Sequence, residues 1–478
     1  MSSQQKIDRL GPILHFRGGD ESKIRVAAMI VSPETAPPPA NITVRSGQIA
    51  PLLIATVAGL NFWRHDFTMA ADEGGYRLGE AWYPVVTDLT GDMRIAFVSC
   101  NGEENGDLNR DSAERNIMWA RLADEHSVSP FALLLQGGDQ IYADEATKDH
   151  PLSEDWPEFA PENPDPQALA SLTRHLQERF ADRYMQILSA HVCAGIFATI
   201  PSLSIWDDHD ICDGWGSLPE HLIKSEVGQA VFSVARQMYL LFQQGATDAD
   251  IPALFWDPTG RNLGWQRDFP GVTIFAPDLR SERDRDDIMG PAGWRAMDAL
   301  QPKGAHTIMV SSVPLLGPRL SLLETVMLAI PRMQHYEDDL RDQWQSHSHR
   351  DEWRRMLKQV LRLRESGPVT VVSGEIHLAT RAVMGPQNTV INQLVASGIS
   401  HRAPPSSYAL CLGLFAGLGE APLLGHPIRI KQLPGQKHRY VAQRNYLTMQ
   451  RRKGHWTAKW HLEESGVTPA LALDDERV

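Results

Sequence analysis

Along this chain, short apolar runs stop abruptly at clusters of residues able to do chemistry. RIAFVS at 94–99 ends at Cys100-Asn101-Gly102, and FALLL at 131–135 runs into Gly137-Gly138-Asp139, with Tyr142 just beyond. PSLSIW at 201–206 ends at Asp207-Asp208-His209-Asp210, and VTVVS at 369–373 ends at Gly374-Glu375-Ile376-His377. Runs this short and this apolar predict buried strands. Helical spacing fills the intervals: 110–126 carries Ile117, Trp119 and Leu122, 167–190 carries Leu172, Leu176, Phe180 and Tyr184, and 221–244 is a second amphipathic segment. Further strands are expected at 272–280, 306–314, 390–397, 446–449 and 456–461. The stretch 336–365 reads as a long charged helix with a solvated face, which places His335, His347 and His349 on the surface. Residues 466–478 read as a frayed tail.

The first ninety residues have a different pattern. Short β-rich runs occur at 24–31, 42–45 and 54–57, and 61–70 alternates aromatic and polar positions. The proline stretch 33–39 cannot be central strand or helix. No helical period of useful length appears, so residues 1–90 are expected to form a small all-β sandwich ahead of a larger unit at 91–478. The turn cluster DLTGD at 88–92 marks the boundary.

Composition narrows the function classes. The 478 residues are 42% apolar and 22% charged, with a net charge of −13. That balance argues against nucleic acid or an anionic membrane as a bulk partner, and leaves room for a small phosphorylated substrate held by a metal. The apolar stretch 408–424 is broken by Gly413, Gly417, Gly419 and Pro422, so no membrane span is expected. Cys100, Cys193, Cys212 and Cys411 lie far apart and read as reduced thiols. With no apolar leader and no twin arginine at the N-terminus, a cytoplasmic location is expected; the oligomeric state is left open.

The strand-end clusters point to metal chemistry. Adjacent like charges repel, and burying them costs on the order of several kcal/mol unless a cation compensates. Taken singly, each cluster is ordinary: a lone acidic turn is usually solvated, and a lone cysteine at a strand end is usually just buried. Together they supply a full ligand set. Two glycines before Asp139 let the backbone turn sharply, and a carboxylate can bridge two cations. The Cys100 thiolate, Tyr142 phenolate and His377 imidazole suit an iron-type or zinc-type ion. Asp208 and Glu375 offer only oxygen, which suits a harder ion such as calcium, magnesium or manganese. Glu375 and His377 are two residues apart, so an extended chain would put both on one face. His209 is left to act as proton donor. Two cations on one bridging carboxylate form a clamp for displacement at phosphorus.

The motifs SCN at 99–101, GGDQIY at 137–142, WDDHD at 206–210 and SGEIH at 373–377, with DLRS at 278–281, resemble the PhoD-like alkaline phosphatase family of the metallophosphoesterase superfamily. The resemblance runs in order along about residues 92–465. It implies an α/β (α+β) fold, with a two-sheet β-sandwich core flanked by helices and preceded by a small N-terminal β-sandwich. It also implies a dinuclear centre, iron with calcium (or manganese, magnesium or zinc). One metal would be held by Cys100, Asp139, Tyr142 and His377, the other by Asp139, Asp208 and Glu375. His209 would be catalytic, Arg280 would hold phosphate or brace the loops, and Asp207 and Asp210 would be supporting groups. The implied activity is hydrolysis of phosphate esters, mono- or diester, by a metal-activated hydroxide. The family pattern has Asp where this chain has Glu375, and its exported members carry a twin-arginine leader that this chain does not show. One extra methylene moves the carboxylate by about 1.5 Å. That change motivates an alternative, a catalytically impaired protein that binds metal or phosphate on the same fold.

Overall fold

The computed structural model describes residues 9–317, 343–386 and 390–474. His335 and residues 336–342 of the expected charged helix lie outside them.

Each apolar run becomes a central strand. Met93–Val98, Leu133–Gly137 and Ser202–Ile205 lie side by side in parallel, with Ile95 opposite Leu133 and Leu135 opposite Leu203. Val272–Ala276, His306–Ser311, Val369–Ser373 and Ile391–Ala396 form a second parallel set. Parallel strands are covered on both faces, which is why these runs carry little alternation. The period-two geometry of the backbone then sorts their side chains. Ile308, Val310, Val372, Leu394 and Ala396 share one core with Phe97, Leu135 and Leu203 of the first sheet. Met309, Val371 and Ile391 face the other way, onto Trp353, Met356, Leu357 and Val360 of the helix Arg350–Arg364. Pro166–Leu188 and Glu226–Met238 bury Leu172, Leu176, Phe180, Val227 and Val231 in the core of the first sheet. The architecture is a two-sheet sandwich with helices outside it.

Residues 9–84 are all-β, as their pattern predicts, and one of their sheets runs on into the core. Leu10–Gly19 continues the first sheet, parallel to Ser202–Ile205 at the pair His15 and Ser202. Lys23–Pro33, Leu60–Ala70 and Leu52–Val57 then extend it antiparallel. Ile42–Val44, Gly47–Ile49, Gly75–Leu78 and Ala81–Pro84 form a small sheet of their own. The first sheet therefore crosses the boundary expected near residue 90. Strand pairing between residues so far apart in sequence leaves no local signal.

Three local expectations change. The helical segment 110–126 divides at Asn116 into Ser112–Arg115 and Ile117–Val128. His349 is buried, with Nε2 3.2 Å from the Arg285 carbonyl, whereas His347 is exposed as expected. The tail is not frayed through residue 473: Gly466–Val467 and Leu471–Ala472 pair with His455–Leu462, and the Leu473 side chain enters the core.

The junction of the N-terminal strands with the core generates a prediction. His15 is buried there, and burial, reinforced by Arg17 and Arg64 against a Gln243 backbone contact, holds its pKa well below 6.5. The fold thus keeps this imidazole neutral, while the unfolded chain binds a proton below about pH 6.5. Stability present above that pH is lost as the pH falls through it, by up to about 1.4 kcal/mol per unit. Denaturant unfolding at about pH 7.5 and about pH 5.5 should show that loss, and His15→Leu should remove about 1 kcal/mol of it. An identical pH dependence in the variant would contradict the assignment.

Candidate metal centre

The loops that leave the parallel strands meet at one end of the sandwich. Cys100 N donates to Gly138 O at 3.2 Å and Asn101 N to Asp139 O at 2.7 Å, which joins the first two loops. The Asp210 carboxylate joins the third: it accepts from the backbone N–H groups of Asp139 (2.9 Å), Gln140 (3.1 Å), Ile141 (3.2 Å) and Asp207 (2.9 Å), and from Gln243 Nε2 (2.8 Å). The second sheet is tied in through Ser397, whose Oγ accepts from His377 N at 2.8 Å and lies 3.1 Å from Cys100 Sγ. Two glycines make the approach possible. A Cβ on Gly138 (φ +101°) would stand 2.7 Å from the Asp207 Cβ, and one on Gly374 would stand 2.2 Å from Ser99 Oγ.

Two groups of donors result. Cys100, Asp139 and His377 present ligand atoms within 4.8 Å of one another, and so do Asp139, Asp208 and His209. Asp139 belongs to both. Tyr142 Oη lies 3.0 Å from His377 Nε2, at the first group. Among the described residues, Asp139 Oδ1 is buried with no hydrogen-bond partner. The backbone is left-handed at Cys100 (φ 54°), Asp139 (54°), Glu375 (70°) and His377 (54°), four of the eight described non-glycine residues with positive φ. Such conformations cost on the order of 1 kcal/mol each and persist where the surroundings over-determine them.

Without a cation these acids cannot all ionise. Burial, and then Asp139, push the Cys100 thiol far up. Burial, and then Cys100, do the same to the Tyr142 phenol. Burial holds the Asp139 carboxyl well above the usual range against the pull of His209, with Asp207, Asp208 and Asp210 adding to the effect. A positive ion reverses each of these shifts. The orphaned Asp139 oxygen, the soft donors on one side and the carboxylates on the other fit a metal pair.

His209 sits on the Tyr142 ring, with centroids 4.3 Å apart, and its Nδ1 lies 3.1 Å from both Asp144 oxygens. Burial disfavours its charged form, but Asp144 and Asp208 outweigh burial and raise its pKa well above the usual imidazole value. Arg280 is fully buried. Its Nε contacts the Asp207 carboxylate, its Nη2 lies 3.2 Å from Asp208 Oδ1, and its Nη1 donates to Trp215 O at 3.0 Å. Of the two roles expected for it, this geometry favours bracing. Glu375 stands outside both donor groups, and Gln343 Nε2 donates to its two oxygens at 2.8 and 2.7 Å.

Several neighbours were not anticipated. Asp144, in the acidic loop that follows Tyr142, gave no signal beyond its charge. His401 stacks on His377 with centroids 3.4 Å apart, and its Nε2 lies 3.2 Å from Glu104 Oε1. A signal for it did exist: the strand expected at 390–397 also runs into a polar cluster, Ser397-Gly398-Ile399-Ser400-His401.

Comparison with known proteins bears on the fold and the family. An uncharacterized protein of Saccharomyces cerevisiae, YGR266W, is 24% identical over a 423-residue alignment that covers 68% of this chain and 59% of the yeast protein. The chain thus spans about three-fifths of that relative's length. The solved structure of PhoD superposes with a TM-score of 0.58 at 11% identity, over 100% of this chain and 94% of that one, so the two share a fold. The family model described as PhoD related phosphatase matches residues 99–337, which take in the Cys100, Asp139, Asp208 and Arg280 loops. Its match covers half of the 478 residues, and on that extent the chain belongs to the PhoD related phosphatases.

Proposed function

We propose that this protein is a metal-dependent phosphoesterase that hydrolyses small phosphate esters at a dinuclear centre. The observation that carries the reading is Asp139, a buried carboxylate shared by two donor groups, with one oxygen lacking any hydrogen-bond partner among the described residues. Cys100, Asp139, Tyr142 and His377 would hold one cation, and iron suits these donors. Asp139 and Asp208 would hold the other, with Glu375 the further candidate, and calcium or another hard ion suits oxygen. Bound there, the pair supplies charge neutralisation for a phosphoryl group and acidifies a water molecule.

The chain's own groups do the rest. Asp144 binds Nδ1 of His209 and leaves Nε2 to give a proton to the departing oxygen. Arg280 holds Asp207 and Asp208 in place despite their mutual repulsion. Ser397 fixes Cys100 and the His377 backbone against each other. The four cysteines are unpaired, which supports action in a reducing compartment such as the cytoplasm. Residues 1–90 serve in this reading as an N-terminal β unit joined edge-on to a catalytic unit at 91–478.

A second reading, binding of metal or phosphate without turnover, draws on Glu375, which Gln343 holds outside both donor groups. Mutants separate the two. Asp139→Asn should lose bound metal and lower phosphoesterase activity by about a hundredfold or more. His209→Ala should keep its metal and its unfolding midpoint while turnover on an aryl phosphate mono- or diester falls about a hundredfold. Full activity in either variant would overturn the enzyme reading. A wild-type protein that holds metal but hydrolyses neither ester would favour the second.

A further inference from the structure

The helix Ser406–Phe415 is apolar along nearly its whole length, the wrong composition for a globular surface. Its small residue Ala409 is buried, as is Ala416 just beyond it, while Tyr408, Leu410 and Leu414 are 50%, 48% and 79% exposed. Leu410 and Leu414 lie one turn apart in a stripe on one side of the helix, Cys411 and Leu414 are neighbours across the same turn, and Cys411 is exposed as well. Next in the chain comes the hairpin of Glu420–Leu423 and His426–Lys431, whose turn carries Leu424 fully exposed, at 102%. Globular surfaces scatter single apolar residues, but a stripe and a fully exposed hairpin tip side by side in sequence need a covering.

The surrounding charge says what covers them. The chain as a whole carries −13, yet residues 406–439 contain Arg429, Lys431, Lys437 and Arg439 against a single acid, Glu420. Glu420 lies 3.4 Å from Arg350. Along the hairpin, Ile428 and Ile430 point into the core beneath the helix, and Arg429 and Lys431 alternate to the other side of the sheet edge. The tip thus has apolar helix on one flank and cations on the other. Protruding leucines in a segment whose charge is mostly Lys and Arg suit a soft anionic layer that closes around them better than the flat packed surface of a protein partner. No described helix is long and apolar enough to cross a membrane, so the contact is with a surface.

We propose that the Ser406–Phe415 helix and the Leu424 hairpin form a docking surface for an anionic phospholipid bilayer, in which the apolar side chains enter the headgroup layer and the basic residues meet its charge. The helix follows His401, the residue stacked on His377, so docking brings the bilayer to the part of the chain that borders the metal centre.

Cys411 supplies the probe, because Cys100, Cys193 and Cys212 are buried. The full-length protein is labelled at Cys411 with a polarity-sensitive dye and mixed with phosphatidylcholine vesicles, with and without phosphatidylserine. The label should shift to the blue, and the protein should float, only with phosphatidylserine, and added salt should weaken both effects. Leu414→Asp combined with Leu424→Asp should lower vesicle partitioning by about tenfold or more and leave hydrolysis of a soluble phosphate ester unchanged. That activity is read separately, so failure of the docking surface does not bear on the phosphoesterase reading. Three results would overturn the proposal. One is no shift and no flotation with phosphatidylserine vesicles. Another is a Cys411 thiol that stays unreactive in vesicle-free protein, which would mean that other residues of the chain cover the stripe. The last is a vesicle-free dimer dissolved by Leu414→Asp, which would assign the face to a second copy.

Discussion

The geometry of the site depends on the carboxylate of Asp210. It belongs to neither donor group; it accepts four backbone N–H groups and one amide, and so fixes the turn that presents Asp139 against the turn that presents Asp208. Burial raises its pKa to about 7, against the pull of those donors. Buried N–H groups in two tight turns would otherwise have no acceptor, and each such loss is expensive. A short acidic run at a strand end therefore contains two kinds of residue. Asp208 and His209 form a donor group with Asp139, Asp210 holds the loops together, and Asp207 links them to Arg280.

The same site concentrates costs that a fold alone would avoid. Four non-glycine residues there take left-handed backbone, and a thiol, a phenol and a carboxyl are buried where none ionises readily. Packing does not call for such a group. A pair of cations makes each of these features favourable at once, since positive charge stabilises the ionised donors and the strained turns are what aim them inward. Loading with metal should therefore couple to stability as well as to chemistry.

Much of this was legible in the sequence because it is local. Apolar runs ending at Cys100, Asp139, Asp208 and His377 gave the strands, their buried character and most of the donors. Pairing across long stretches of chain was not legible. Leu10–Gly19 joins the core sheet beside Ser202–Ile205, and nothing in either segment announces the other. Asp144 and Gln343 act through partners distant in sequence, Asp144 on His209 and Gln343 on Glu375. His401 is a different case, since its strand end repeats the pattern that found the other donors. His349 was misplaced because a charged neighbourhood says nothing of a single buried position within it.

The central claim is that two cations sit at the meeting point of these loops with Asp139 between them. Crystals of metal-loaded protein, with anomalous scattering collected on both sides of the iron edge, test it most directly. The account predicts one iron-specific peak bounded by Cys100, Tyr142, His377 and Asp139, and a second, non-iron peak on the Asp208 side of Asp139. A single peak remote from Asp139, or no peak from protein whose metal content was confirmed beforehand, would contradict it.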